Sequence, residues 1–223
     1  MVKDLTEGNP GRALALFSIP SLISVVFQQL YNMADNVVAG QFIGDDALSA
    51  VSVSYPVTMI YMAVALGINI GCSVVISQLF GAKRMERMKT AASTSLISTA
   101  ALALLLTVLG LIFCNPLLRL LNTPDNIMDP TSQYLRIYTC GLLFIFIYNT
   151  CTGIFTALGD TMTPLIFLVV SSLSNIGLDI VFVVSTDMGV AGLALATLIC
   201  QAIAAIVSFL VLLGRLKRIP SGK

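Results

Sequence analysis

Two aspartates, Asp35 and Asp179, fall inside long apolar stretches, while the other nine of the eleven acidic residues lie in polar connections or tails. A charged side chain within a membrane span costs at least ~2.5–3.5 kcal/mol on insertion scales, so its presence needs a reason. No intramembrane lysine or arginine is available to pair with either acid. Each has polar company on its own helical face. Gln28, Asn32 and Asp35 are spaced four and three apart, and Ser172, Asn175 and Asp179 three and four apart. Those intervals put each set on a single stripe of a helix. A third stretch contributes Thr197 and, one turn on, Gln201. Carboxylate, amide and hydroxyl oxygens suit a small hard cation, and a buried carboxylate can equally carry a proton. Either way one charge is neutralised reversibly in a low-dielectric interior, as ion-coupled transport requires. Taken singly, the hydroxyls and amides also serve as static hydrogen bonds between helices. The two acids are what that reading leaves unexplained.

The elements that must position these groups follow from composition. The chain has 223 residues, 57% of them hydrophobic and 10% charged, against about 25% charged in average soluble domains. Mean hydropathy is +0.95. A disordered chain and a soluble enzyme are excluded by these figures. A net charge of +1 gives no electrostatic footprint for a phosphate backbone, so no nucleic-acid partner is expected. Histidine is absent, which removes the usual general base and the commonest metal ligand. No HExxH or nucleophile elbow is present, no cofactor is implied, and an enzyme is not expected. Apolar residues come in blocks of about 20, the length that spans a bilayer. Six such spans are predicted, at about 14–40, 52–79, 91–113, 133–156, 163–184 and 190–213. Their short connections force neighbours to run antiparallel. The expected fold is an all-α integral membrane protein, residues 1–223 forming one six-helix bundle in the lipid bilayer. The first apolar stretch is too long and too polar for a cleavable signal peptide.

Orientation follows from the basic residues. Lys3, Arg12, Lys83, Arg84, Arg87, Lys89, Arg215, Lys217, Arg218 and Lys223 fall on one side, ten of the twelve, and only Arg119 and Arg136 on the other. The positive-inside bias makes the first side, with both termini, cytoplasmic. Asp35, Asp179 and Thr197 then share a level in the outer half, the two acids roughly 12–15 Å from the outer helix ends. The five cysteines form no CxxC pair and read as small apolar packing residues. Pro20, inside the first span, removes a backbone donor. It reads equally as a fixed bend or as a hinge responding to Asp35.

In order and spacing these features resemble the N-terminal six-helix lobe of a multidrug and toxic compound extrusion (MATE) transporter, closest to its DinF-like prokaryotic branch. The residues that carry the resemblance are Gly8-Asn9-Pro10 with Pro20, then Tyr31-Asn32-Met33-Ala34-Asp35 and Gln78-Leu79-Phe80-Gly81-Ala82-Lys83. Ala157-Leu158-Gly159-Asp160-Thr161-Met162-Thr163-Pro164 and Asn175-Ile176-Gly177-Leu178-Asp179 complete them. The resemblance implies a multi-pass protein of the inner (plasma) membrane, an antiporter exporting cationic or amphipathic organic compounds against Na+ or H+. It implies a coupling-ion site at Asp35, Asn175, Asp179 and Thr197. Tyr134 and Asn149 of the fourth helix match the family's surrounding hydrogen-bond network, with Gln28, Asn32 and Gln201 in support, and Pro20 matches its bending proline.

Family members have about twice this length, in two six-helix lobes. The chain is therefore expected to pair with a C-terminal lobe or, as a half-transporter, with a second copy of itself. Two other functions fit a bundle of this kind. One is a lipid-linked oligosaccharide or polyprenyl flippase of the same superfamily, which would place lysine or arginine in the interior. The other is a non-transporting membrane scaffold subunit, for which the two aspartates would be dispensable.

Overall fold

A bilayer offers no hydrogen-bond partners to a backbone, and a helix satisfies its own. The apolar blocks accordingly fold as helices. The computed structural model describes the backbone of residues 10–185 and 188–219. It also describes their side chains, except those of residues 10–17, 31, 32, 35, 39, 45, 46, 184 and 185. In chain order the helices are α1 (Pro10–Val38), α2 (Asp45–Gly81), α3 (Met85–Leu120), α4 (Asp125–Cys140), α5 (Leu142–Ala157), α6 (Met162–Ser185) and α7 (Val190–Arg218).

The helices α2, α3, α6 and α7 each contain a stretch long and apolar enough to cross a membrane, and α4 with α5 makes a fifth, bent by 47°. Six spans are expected from the sequence, and the described part of α1 offers only a shorter apolar stretch, Ser18–Leu30. Gln28, Gln29, Asn32 and Asp35 dilute the rest of that helix. Large apolar side chains point outward, with Val25, Ile60 and Ile97 between 61% and 71% exposed. That is the pattern of a bundle whose solvent is hydrocarbon.

Three departures from the expected spans have local causes. Residues 133–156 are not one helix: the chain bends at Gly141. Its N–H donates to Tyr138 O at 2.9 Å, an i−3 bond that tightens the ladder and redirects the axis. A Cβ there would lie 3.1 Å from Tyr138 O, a tight approach that glycine avoids, with the Leu198 side chain of α7 at an ordinary 3.7 Å. The end of the first segment winds into a π-helical turn, Ala39–Ile43. The connection to α2 then shrinks to Gly44, whose φ of 106° is a conformation that favours glycine.

Small residues bring the helices together. A Cβ on Gly153 of α5 would sit 2.9 Å from the backbone oxygen of Asn69 on α2. Polar side chains join helices as well as their own backbones: Thr150 Oγ1 donates to Thr99 Oγ1 at 3.2 Å, and Thr107 Oγ1 to Thr139 O at 3.3 Å. Between these contacts Tyr61, Leu135 and Phe146 fill the middle of the bundle. Ile76, Met88, Phe155 and Leu212 fill the end that carries most of the basic residues.

Candidate functional site

The helix α6 begins where Asp160 accepts a hydrogen bond from the Thr163 N–H at 3.0 Å, so a carboxylate satisfies one of the orphan donors of the first turn. Beyond it the sequence alternates two faces. Val170, Leu173 and Ile180 are exposed, whereas Ser172, Asn175 and Asp179 are buried at 4%, 2% and 0%. The three polar residues predicted to share a stripe therefore do share one, and it faces inward.

What that stripe faces is set by the apolar contacts one turn away. Val38 of α1, Val183 of α6 and Leu193 of α7 form a single buried cluster. Val38 lies three residues past Asp35, Val183 four past Asp179, and Leu193 four before Thr197. In a helix such intervals are one turn along the same face. The packing thus draws the segments bearing Asp35, Asp179 and Thr197 to one level. The side chains of Asp35 and Asn32 lie outside the described residues. Thr197 and Gln201 are half-buried on α7, and Gln28 is exposed on α1.

Other predicted residues sit around this level in different ways. Tyr134 of α4 packs on Ala47, Ala50 and Val190 and stacks on Tyr138, with ring centroids 6.2 Å apart. Asn149 of α5 donates its amide to Ile145 O at 2.9 Å, one turn back on its own helix. Pro20 is buried, and α1 continues through it without a break; Ser24 Oγ donates to Pro20 O at 2.9 Å. Among the described residues no group of three His, Cys, Asp or Glu converges as a metal site.

Sequence reasoning missed one polar cluster, at the basic end. Asp160, expected only to mark a turn, forms an ion pair with Arg215 of α7. Thr163 Oγ1 donates to Asp160 Oδ2 at 2.7 Å and accepts from Arg215 Nη2 at 3.0 Å. The Arg215 guanidinium also lies 5.4 Å over the Phe155 ring. Burial works to raise the Asp160 pKa, but the hydrogen bonds from Thr163 and the Arg215 charge outweigh it and hold the carboxyl below its usual range. The Asp160-x-x-Thr163 spacing signals a helix cap; the partner 55 residues away carries no such signal.

The comparisons with known proteins bear on this architecture. The family described as MatE matches residues 20–181. The chain belongs to the MatE family. Its inward stripe of Ser172, Asn175 and Asp179 lies within the matched MatE segment. Over 211 residues it is 35% identical to "Probable multidrug resistance protein YoeA" of Bacillus subtilis (strain 168), covering 93% of this chain and 45% of that protein. It is 27% identical over 192 residues to a "FAD transporter" of Shewanella oneidensis, covering 84% and 42%. Among solved structures, an outward-facing multidrug resistance MATE family transporter of the MOP superfamily superposes with a TM-score of 0.88 at 30% identity, over 93% of this chain and 46% of that one. The chain thus spans about half the length of the MatE relatives it matches, and the fold is that of a multi-pass membrane transporter.

Proposed function

We propose that this chain is one lobe of a cation-coupled antiporter that exports cationic or amphipathic organic compounds, and that Asp35, Asn175, Asp179 and Thr197 hold the coupling ion, Na+ or H+. The observation that carries this reading is the burial of Asn175 and Asp179 on the α6 face drawn against α1 and α7. A carboxylate placed there in a MatE protein favours the capture of a cation or a proton, because either lowers the cost of its charge in a low-dielectric interior. Two acids at one level titrate as a coupled pair, so the first ion or proton captured changes the affinity for the second. Loading neutralises the lobe, and release restores a charge that favours a cationic substrate. That alternation supplies the exchange.

Tyr134, Asn149, Gln28, Asn32 and Gln201 surround the site in this reading, and Pro20 is the point at which α1 bends between states. The substrate cavity lies between this lobe and a second one, supplied by a C-terminal lobe or by a second copy. The basic end faces the cytoplasm across the inner membrane, with both termini on that side. The relative with "multidrug resistance" in its name supports the substrate class. In the complete protein Asp35→Asn and Asp179→Asn should each abolish drug resistance at unchanged membrane abundance. Export by both variants would refute the coupling site.

A further inference from the structure

At the basic end, between α2 and α3, lies an outward-facing groove of about 540 Å³ that the coupling site does not use. Gly71, Cys72 and Val75 line it from α2, and Arg87, Thr94 and Ser95 from α3. Gly71 leaves the α2 side of the groove open: a Cβ built there would meet nothing within 4 Å. Arg87 stands exposed in the first turn of α3, with Lys83 and Arg84 on the preceding turn and Glu86 as the one acid among them.

We propose that this groove binds an anionic phospholipid, its phosphate held by Arg87 and its upper acyl chain lying along Val75. Depth is the first argument. Thr94 and Ser95 lie seven and eight residues past Arg87, roughly 11–12 Å along the helix. The polar headgroup layer on each side of a bilayer is only about 5–8 Å deep. A groove with its guanidinium in that layer therefore has its floor in hydrocarbon. Charge is the second argument. A guanidinium offers a phosphate two parallel N–H donors, and basic pockets between transmembrane helices recognise anionic headgroups. A zwitterionic lipid brings its own cation to Lys83 and Arg84, so the cluster discriminates against it. The proposal goes beyond the transport reading and shares with it only the placement of this end at a membrane surface.

The test is native mass spectrometry of the full chain, released from micelles containing equal phosphatidylglycerol and phosphatidylcholine. Wild-type protein should retain phosphatidylglycerol in preference. Arg87→Gln should lower that retention by roughly tenfold, the loss of one charge-assisted contact. Gly71→Leu, which fills the groove where no atom opposes it, should lower retention of both lipids. Arg119→Gln, at the opposite end, should bind lipid as the wild type does. Excess inorganic phosphate should leave the adduct in place. Equal retention of the two lipids, wild-type retention by Arg87→Gln, displacement by inorganic phosphate, or a lipid-free dimer covering the groove would each overturn the proposal. None of these readouts involves export, so a failure of the antiporter reading registers separately.

Discussion

Arg215, near the end of α7, forms an ion pair with Asp160 in the turn between α5 and α6, and Thr163 bonds to both. Asp160 is 5% exposed and the arginine side chain 27%, so removing one partner leaves the other charge poorly hydrated. Arg215→Ala should lower stability by about 1–3 kcal/mol, less than the 3–5 of a fully buried pair. Thermal unfolding of the purified chain in detergent measures it.

The same pair sets an acid limb. Asp160 is held below its usual pKa by Thr163 and Arg215. Its contribution is therefore complete above the ordinary aspartate value of about 3.9 and is lost as pH falls below that toward the folded-state value. The melting temperature of the wild type should fall across that window. Asp160→Asn should start lower at neutral pH and show a shallower fall. An unchanged acid limb in the variant would place the titration elsewhere.

Two glycines should respond oppositely to alanine. At Gly153 the new Cβ would lie 2.9 Å from the Asn69 backbone oxygen, which cannot rotate away. Gly153→Ala should destabilise by about 1–3 kcal/mol through overpacking of α2 against α5. At Gly177 nothing lies within 4 Å. Gly177→Ala should be neutral or stabilise by roughly 0.5–1 kcal/mol, the helix-propensity gain. Denaturation of the two variants side by side checks the sign.

The two asparagines near the proposed site should also separate. Asn149 spends its amide on Ile145 O of its own helix, whereas Asn175 is 2% exposed on the stripe with Asp179. Asn175→Ala should weaken binding of the coupling ion by about tenfold, the loss of one ligand bond to a charge. Asn149→Ala should change it less than threefold. Calorimetric titration of the complete protein with Na+, at two pH values, distinguishes them.

The inward stripe of α6 was legible because Ser172, Asn175 and Asp179 keep helical spacing within an apolar stretch, and burial follows from that pattern alone. The convergence of α1, α6 and α7 at one level was legible from depth, since helix rise converts position into height. Local backbone chemistry was not. The bend at Gly141 comes with a single i−3 bond to Tyr138 O, which leaves no mark in the apolar pattern of residues 133–156. The π-helical turn at Ala39–Ile43 shortens a connection that composition spreads over 41–51. The Asp160–Arg215 pair joins residues whose separation has no periodic meaning. The alternation of antiparallel spans assigned both to one end, and only tertiary packing joined them.

Whether Asp35 and Asp179 carry the coupling ion is tested most directly by ethidium accumulation in everted membrane vesicles containing the complete transporter, driven by an imposed Na+ or H+ gradient. Wild-type vesicles should accumulate ethidium with at least one of the two gradients. Asp179→Asn and Asp35→Asn should reduce accumulation to the level without a gradient, at equal protein abundance. Gradient-driven accumulation at the wild-type rate in either variant would contradict that role.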